Sequence, residues 1–116
     1  MNVYLTVIYV GNRGNSDTGK YYYSYDKDVI LVKDKDTEIN FILSDETPCH
    51  YVIDDLFVSD GQQQIKKFEI SDKGRRLKIH DINTKKTLIN FNILVIDGKR
   101  GNPISCDPQV MNKPPN

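Results

Sequence analysis

Apolar residues recur at every second position over much of the chain, the period of a β-strand with one face buried. The clearest case lies at residues 87–97, where Ile89, Phe91, Ile93 and Val95 line one face while the other changes from Asn90 and Asn92 to Leu94 and Ile96. Residues 37–43 repeat the pattern with Ile39, Phe41 and Leu43, residues 75–82 with Leu77 and Ile79, and residues 64–71 with Phe68 and Ile70 placed inside. At residues 3–10 the apolar positions Val3, Leu5, Val7 and Tyr9 alternate with Tyr4, Thr6, Ile8 and Val10, which predicts a strand covered on both sides. Residues 20–26 read as a strand with Tyr21, Tyr23 and Tyr25 on one face, and residues 29–32 as a short apolar strand. Residues 51–58 read as a strand interrupted by Asp54-Asp55, where a bulge is expected.

Turn residues separate these runs. Asp72-Lys73-Gly74 closes a hairpin, and Asp97-Gly98, Gly101-Asn102-Pro103, Asp107-Pro108 and Pro114-Pro115 punctuate the last segment and forbid a terminal helix. Seven or eight short strands with turn signals about every 8–12 residues predict an antiparallel β-sandwich, immunoglobulin-like, with a closed β-barrel as the alternative. The 116 residues suit one domain, 1–116. Composition agrees: alanine, the best helix former, is absent, and isoleucine and valine together number 22. A hydrophobic fraction of 38% beside 28% charged residues implies a thin core under a solvated outer face.

The formal net charge is zero, which argues against a dedicated nucleic-acid or membrane-surface protein. The zero hides a division: residues 1–60 carry 5 basic and 11 acidic side chains, and residues 61–116 carry 11 and 5. Either strands of the two halves pair and interleave their charges, or the poles stay apart and favour head-to-tail association or an acidic partner. No apolar run approaches the about 18 residues of a membrane span. The first ten residues lack a basic leader and a small-residue cleavage site, so they read as the first strand of a cytoplasmic protein.

Candidate chemistry is sparse. Cys49-His50, His80 and Cys106-Asp107 supply residue types for zinc or a cysteine nucleophile, but not the paired spacing either chemistry uses, so no metal, cofactor or catalytic residue is expected. Asp26-Lys27-Asp28, Asp34-Lys35-Asp36 and Asp54-Asp55 lack the spacing of a calcium loop and read as solvated turns. The row Tyr21, Tyr23, Tyr25 suits either a stacking platform for sugars or the inward face of a half-buried strand. Lys66-Lys67, Arg75-Arg76, Lys78, Lys85-Lys86 and Lys99-Arg100 either merge into a patch for an anionic partner or guard a solvated face and its edges.

The C-terminal stretch, Val95-Ile96-Asp97-Gly98 followed by Ser105-Cys106-Asp107-Pro108-Gln109-Val110 and Asn112-Lys113-Pro114, resembles the DP-EP family of small bacterial proteins. Lys113 stands where the family's name leads one to expect an acidic residue before the second proline. The resemblance implies a compact bacterial β-domain, transfers no catalytic residue, and marks Asp107, Pro108, Val110, Asn112 and Pro114 as more than a frayed end. Ile104 and Val110 are then expected to cover a sheet or reach a neighbouring subunit.

The functional expectation is a non-enzymatic, self-associating or protein-binding module, a homo-oligomer or one half of a protein pair, with contacts through Leu94, Ile96, the two-faced first strand and the tyrosines. The alternative is a carbohydrate or small-ligand module using Tyr21, Tyr23 and Tyr25, and a third is a Cys106-based enzyme.

Overall fold

The structure, a computed structural model describing residues 1–116, is all-β, with 56% of residues in strands and 3% in helix. Ten strands form it, rather than seven or eight: β1 (Asn2–Tyr9), β2 (Tyr21–Tyr25), β3 (Ile30–Val32), β4 (Thr37–Leu43), β5 (Tyr51–Ser59), β6 (Ile65–Ser71), β7 (Arg76–Asp81), β8 (Thr87–Asp97), β9 (Pro103–Cys106) and β10 (Gln109–Asn112). The first sheet has the order β2-β1-β4-β7-β6, and the second β3-β10-β8-β5, with β9 also on β8. The two sheets do not close into a barrel.

Both sheets are mixed, which corrects the expectation of a purely antiparallel sandwich. β1 runs parallel to β4, with Asn2 opposite Asn40 and Leu5 opposite Leu43, and β10 runs parallel to β3. The reason is connectivity: β3 leaves the first sheet for the edge of the second, so the chain returns to β4 in the direction of β1. Sequence halves interleave as well, since β4 pairs with β7 and β5 with β8.

The period-two positions build the core. Val3, Leu5, Val7, Ile39, Phe41, Leu43, Leu77 and Ile79 of the first sheet meet Ile53, Leu56, Ile89, Phe91, Ile93 and Val95 of the second, all buried. The rings of Phe41 and Phe91 lie 6.2 Å apart. Burying each such side chain contributes about 1.5–3 kcal/mol. The expected bulge falls between Ile53 and Asp55; it shifts the phase of β5, so that Ile53 and Leu56, three residues apart, both face inward.

Two expectations fail at the margins. Phe68 pairs with inward-facing Ile79 but is 52% exposed, because β6 is an edge strand. The second face of β1 is also open, with Tyr4 43% and Ile8 38% exposed.

Polar groups tie the layers together. Arg75 donates to four carbonyls, those of Pro48 (2.9 Å), Tyr51 (2.8 Å), Ser44 (3.2 Å) and Thr47 (2.9 Å), and so holds the β4–β5 connection. Asn112 Nδ2 donates to Asp81 Oδ1 at 2.9 Å, joining β10 to β7 across the sandwich.

Candidate functional site

The tyrosine row faces inward. Tyr21 is fully buried, and Tyr23 and Tyr25 are half-buried against the core. The Tyr21 hydroxyl donates to Asp97 Oδ2 at 2.5 Å, and the Tyr25 hydroxyl donates to the Cys106 carbonyl at 3.0 Å. The row is therefore no exposed platform; Tyr21 and Tyr25 are struts between the sheets.

Asp97 is the centre of the densest polar cluster. Its carboxylate is fully buried at the end of β8. Oδ1 accepts from the backbone N–H groups of Lys99 (3.0 Å) and Arg100 (3.2 Å), and Oδ2 accepts from Arg100 Nη1 (3.3 Å) as well as from Tyr21. Burial pushes the carboxyl group upward, but the hydrogen bonds from Tyr21, Arg100 and Lys99 outweigh it and bring its pKa down to about 2. Burial, reinforced by the bond to Asp97, pushes Tyr21 up to about 12. His50 Nε2 lies 3.4 Å from Asp97 Oδ1. The Arg100 guanidinium rests 3.7 Å above the Tyr9 ring. This is a fixed anion with its donors in place, and it fastens β2 to β8.

Cys106 is fully buried on β9, and burial pushes its thiol pKa up, opposite to what an activated nucleophile requires. Cys49 is exposed. The His/Cys/Asp/Glu side chains form no group of three or more able to hold a metal ion.

Residues of the C-terminal motif are structural for the most part. β9 and β10 follow the length of β8 as one strand broken at Asp107-Pro108, where Phe91 N–H donates to the Pro108 carbonyl at 3.1 Å. Ile104, Val110 and Asn112 are fully buried, so the tail completes the second sheet. Pro114 is half-buried and Asp107 is exposed. Leu94 and Ile96 point outward from β8 and are half-buried beside Asp55, Ser105, Val52 and Pro103.

Several of the basic residues are engaged separately. Arg75 is spent on carbonyls, Lys99-Arg100 sits by Asp97, and Lys78 lies 3.8 Å from Glu38. The edges at β2, β3, β5 and β6 are guarded, and at the fifth, β9, the carbonyls of Ser105 and Cys106 are taken by Ser16 Oγ (2.7 Å) and the Tyr25 hydroxyl (3.0 Å). Asn15 closes β2 by bonding both the N–H and the carbonyl of Tyr23, at 2.9 Å each. β3 is only three residues long, and β5 and β6 carry irregularities at Ile53/Asp55 and Ile65/Lys67, the latter beside Lys66 and Lys67.

The outer faces of both sheets carry exposed apolar side chains, Phe57, Leu31 and Leu88 on the second and Tyr22, Tyr4 and Ile8 on the first. Tyr22 is 48% exposed and pairs across β1 with Ile8, while Tyr4 pairs with Ile42, and Ile42 with Arg76. A depression of about 500 Å³ at Tyr4 and Ile42 is rimmed by Asp26, Asp45 and Glu46. Alternation alone places Tyr22 outward once Tyr21 and Tyr23 point inward; its apolar neighbours emerge only from strand pairing. No family model matches the chain, and no curated protein matches it. No helix is long and apolar enough to cross a membrane.

Proposed function

We propose that the protein is a non-catalytic module that associates with a second copy of itself through the outer face of its first sheet. The supporting observation is the arrangement of that face: two apolar pairs, Tyr22 with Ile8 and Tyr4 with Ile42, on either side of Thr6 and Ser24, with acidic Asp26, Asp45 and Glu46 on the rim and basic Arg76 and Lys78 on β7. With the edges guarded, a face is the surface left for pairing. Five strands at about 4.8 Å spacing and about seven residues at 3.4 Å make a face of about 24 by 24 Å. That is about 580 Å² per partner, at the small end of standard interfaces.

Register suggests the symmetry. Tyr4, Ile42, Arg76 and Ser71 lie at one level across β1, β4, β7 and β6. A two-fold axis parallel to the strands and passing over β4 sets Ile42 against its own copy, and Tyr4 with neighbouring Asp26 against Arg76 of the second copy. Arginine over a tyrosine face and beside a carboxylate is favourable in both contacts. The likeness to DP-EP proteins adds the expectation of a compact bacterial β-domain.

Light scattering after size exclusion tests this. The wild type is expected at twice the 13.4 kDa chain mass, shifting toward the monomer at high salt and low concentration. Ile42→Lys, which places two like charges on the axis, is expected to give a folded monomer. A wild-type monomer at every concentration would refute the proposal.

A further inference from the structure

A groove of about 590 Å³ crosses the outer side of the second sheet. It lies at the Asp107-Pro108 break between β9 and β10 and passes over Asn90 and Asn92 of β8 to Phe57 of β5. Its charged lining residues are Asp28 and Asp107; no lysine or arginine lines it.

Three features distinguish it from ordinary solvated sheet. Phe57 is 56% exposed, the most open large apolar side chain in the molecule, although Leu56 before it is buried. Gln109 Nε2 donates to Asn90 Oδ1 at 2.9 Å, so the two carboxamides hold each other in place. Asn92, whose Nδ2 lies 3.4 Å from Ser105 Oγ, adds a third carboxamide to the groove lining.

An open ring beside fixed carboxamides and two carboxylates matches a sugar: the ring face takes the C–H surface, and the amides and carboxylates take the hydroxyls. Carboxylates accept from hydroxyl or ammonium groups and repel anions, and nothing basic in the groove offsets that repulsion. The geometry points to a saccharide-binding groove on the second sheet, open to neutral and amino sugars and closed to uronic acids and phosphorylated ligands. It occupies the sheet opposite the proposed self-association face, so the two assignments fail independently.

The test titrates cellohexaose, the matching β-1,4-linked glucosamine hexamer and hexagalacturonate into the full-length isotope-labelled chain, following backbone amide resonances. Shifts centred on Phe57, Asn92 and Gln109 are expected with the first two sugars and not with the uronate. Tighter binding of the glucosamine hexamer assigns the ammonium to Asp28 and Asp107, and equal binding assigns recognition to the hydroxyls. Phe57→Ala and Gln109→Ala alter exposed side chains, and the former is expected to weaken binding about tenfold. No shift with either expected sugar at about 5 mM, a uronate that binds as well, or full affinity in Phe57→Ala would overturn the assignment.

Discussion

Replacing Tyr21 with phenylalanine removes one oxygen atom from the Asp97 cluster and leaves the ring packing in place. The main bond lost is short, 2.5 Å, and joins two fully buried residues on different sheets; the longer bond that Asn102 Nδ2 donates to the Tyr21 hydroxyl, 3.2 Å, goes with it. A hydrogen bond to a charged group contributes about 1.5–3 kcal/mol, and here the carboxylate keeps its bonds from Arg100 and Lys99, so a loss of about 2 kcal/mol is expected. For a domain of this size that corresponds to about 8 °C in melting temperature. The pH dependence carries a sign. The folded-state pKa of Asp97 is lowered from 3.8 to about 2, so its contribution is fully present above about pH 4 and is lost as pH falls through 2. Urea denaturation of both proteins at neutral pH and at a series of acid pH values is the assay. The gap between them is expected to be constant above about pH 4 and to narrow below it as the carboxylate protonates. A neutral-pH difference under about 0.5 kcal/mol, or a gap that widens in acid, would refute the account of this cluster.

Arg75→Met removes the donors to four carbonyls while keeping the apolar stem, and is expected to cost about 3 kcal/mol in urea denaturation; a cost under about 1 kcal/mol would contradict its role. A thiol reagent is expected to label Cys49 in the native protein and Cys106 only after denaturation, and native labelling of Cys106 would contradict its burial. Burial raises the pKa of Asp81, so its ionised form opposes folding and stability falls as pH rises from the unfolded-state value through the folded one. Asp81→Asn keeps the acceptor for Asn83 N–H and Asn112 Nδ2, and is expected to flatten that pH dependence without loss at neutral pH; a drop of more than about 1 kcal/mol there counts against it.

The strands were legible because their inward positions repeat every second residue, and the Asp54-Asp55 interruption foretold the bulge in β5. Pairing was less legible. Hairpin logic joins β6 to β7, but nothing local in residues 29–32 says that β3 crosses to the second sheet, and both parallel pairings follow from that crossing. Edge effects escaped for the same reason: Phe68 has the inward phase of a core residue and lacks a covering layer. Asp97 reads as half of an Asp-Gly turn, and Arg75 as part of a basic run. Their buried roles depend on Tyr21, 76 residues away, and on the carbonyls of the β4–β5 connection. The open face of the first sheet is assembled from β2, β1 and β4, so alternation supplies its members singly and only the parallel β1–β4 register places Tyr4 beside Ile42.

Hydroxyl-radical footprinting across a range of protein concentrations tests the central claim most directly, because it reads individual side chains on each face. Tyr4, Ile8, Tyr22 and Ile42 are expected to become protected as concentration rises, while Phe57 and Phe68, on the second sheet and at the β6 edge, keep their reactivity. Protection confined to Phe57 or Phe68, or none at any concentration, would contradict association through the outer face of the first sheet.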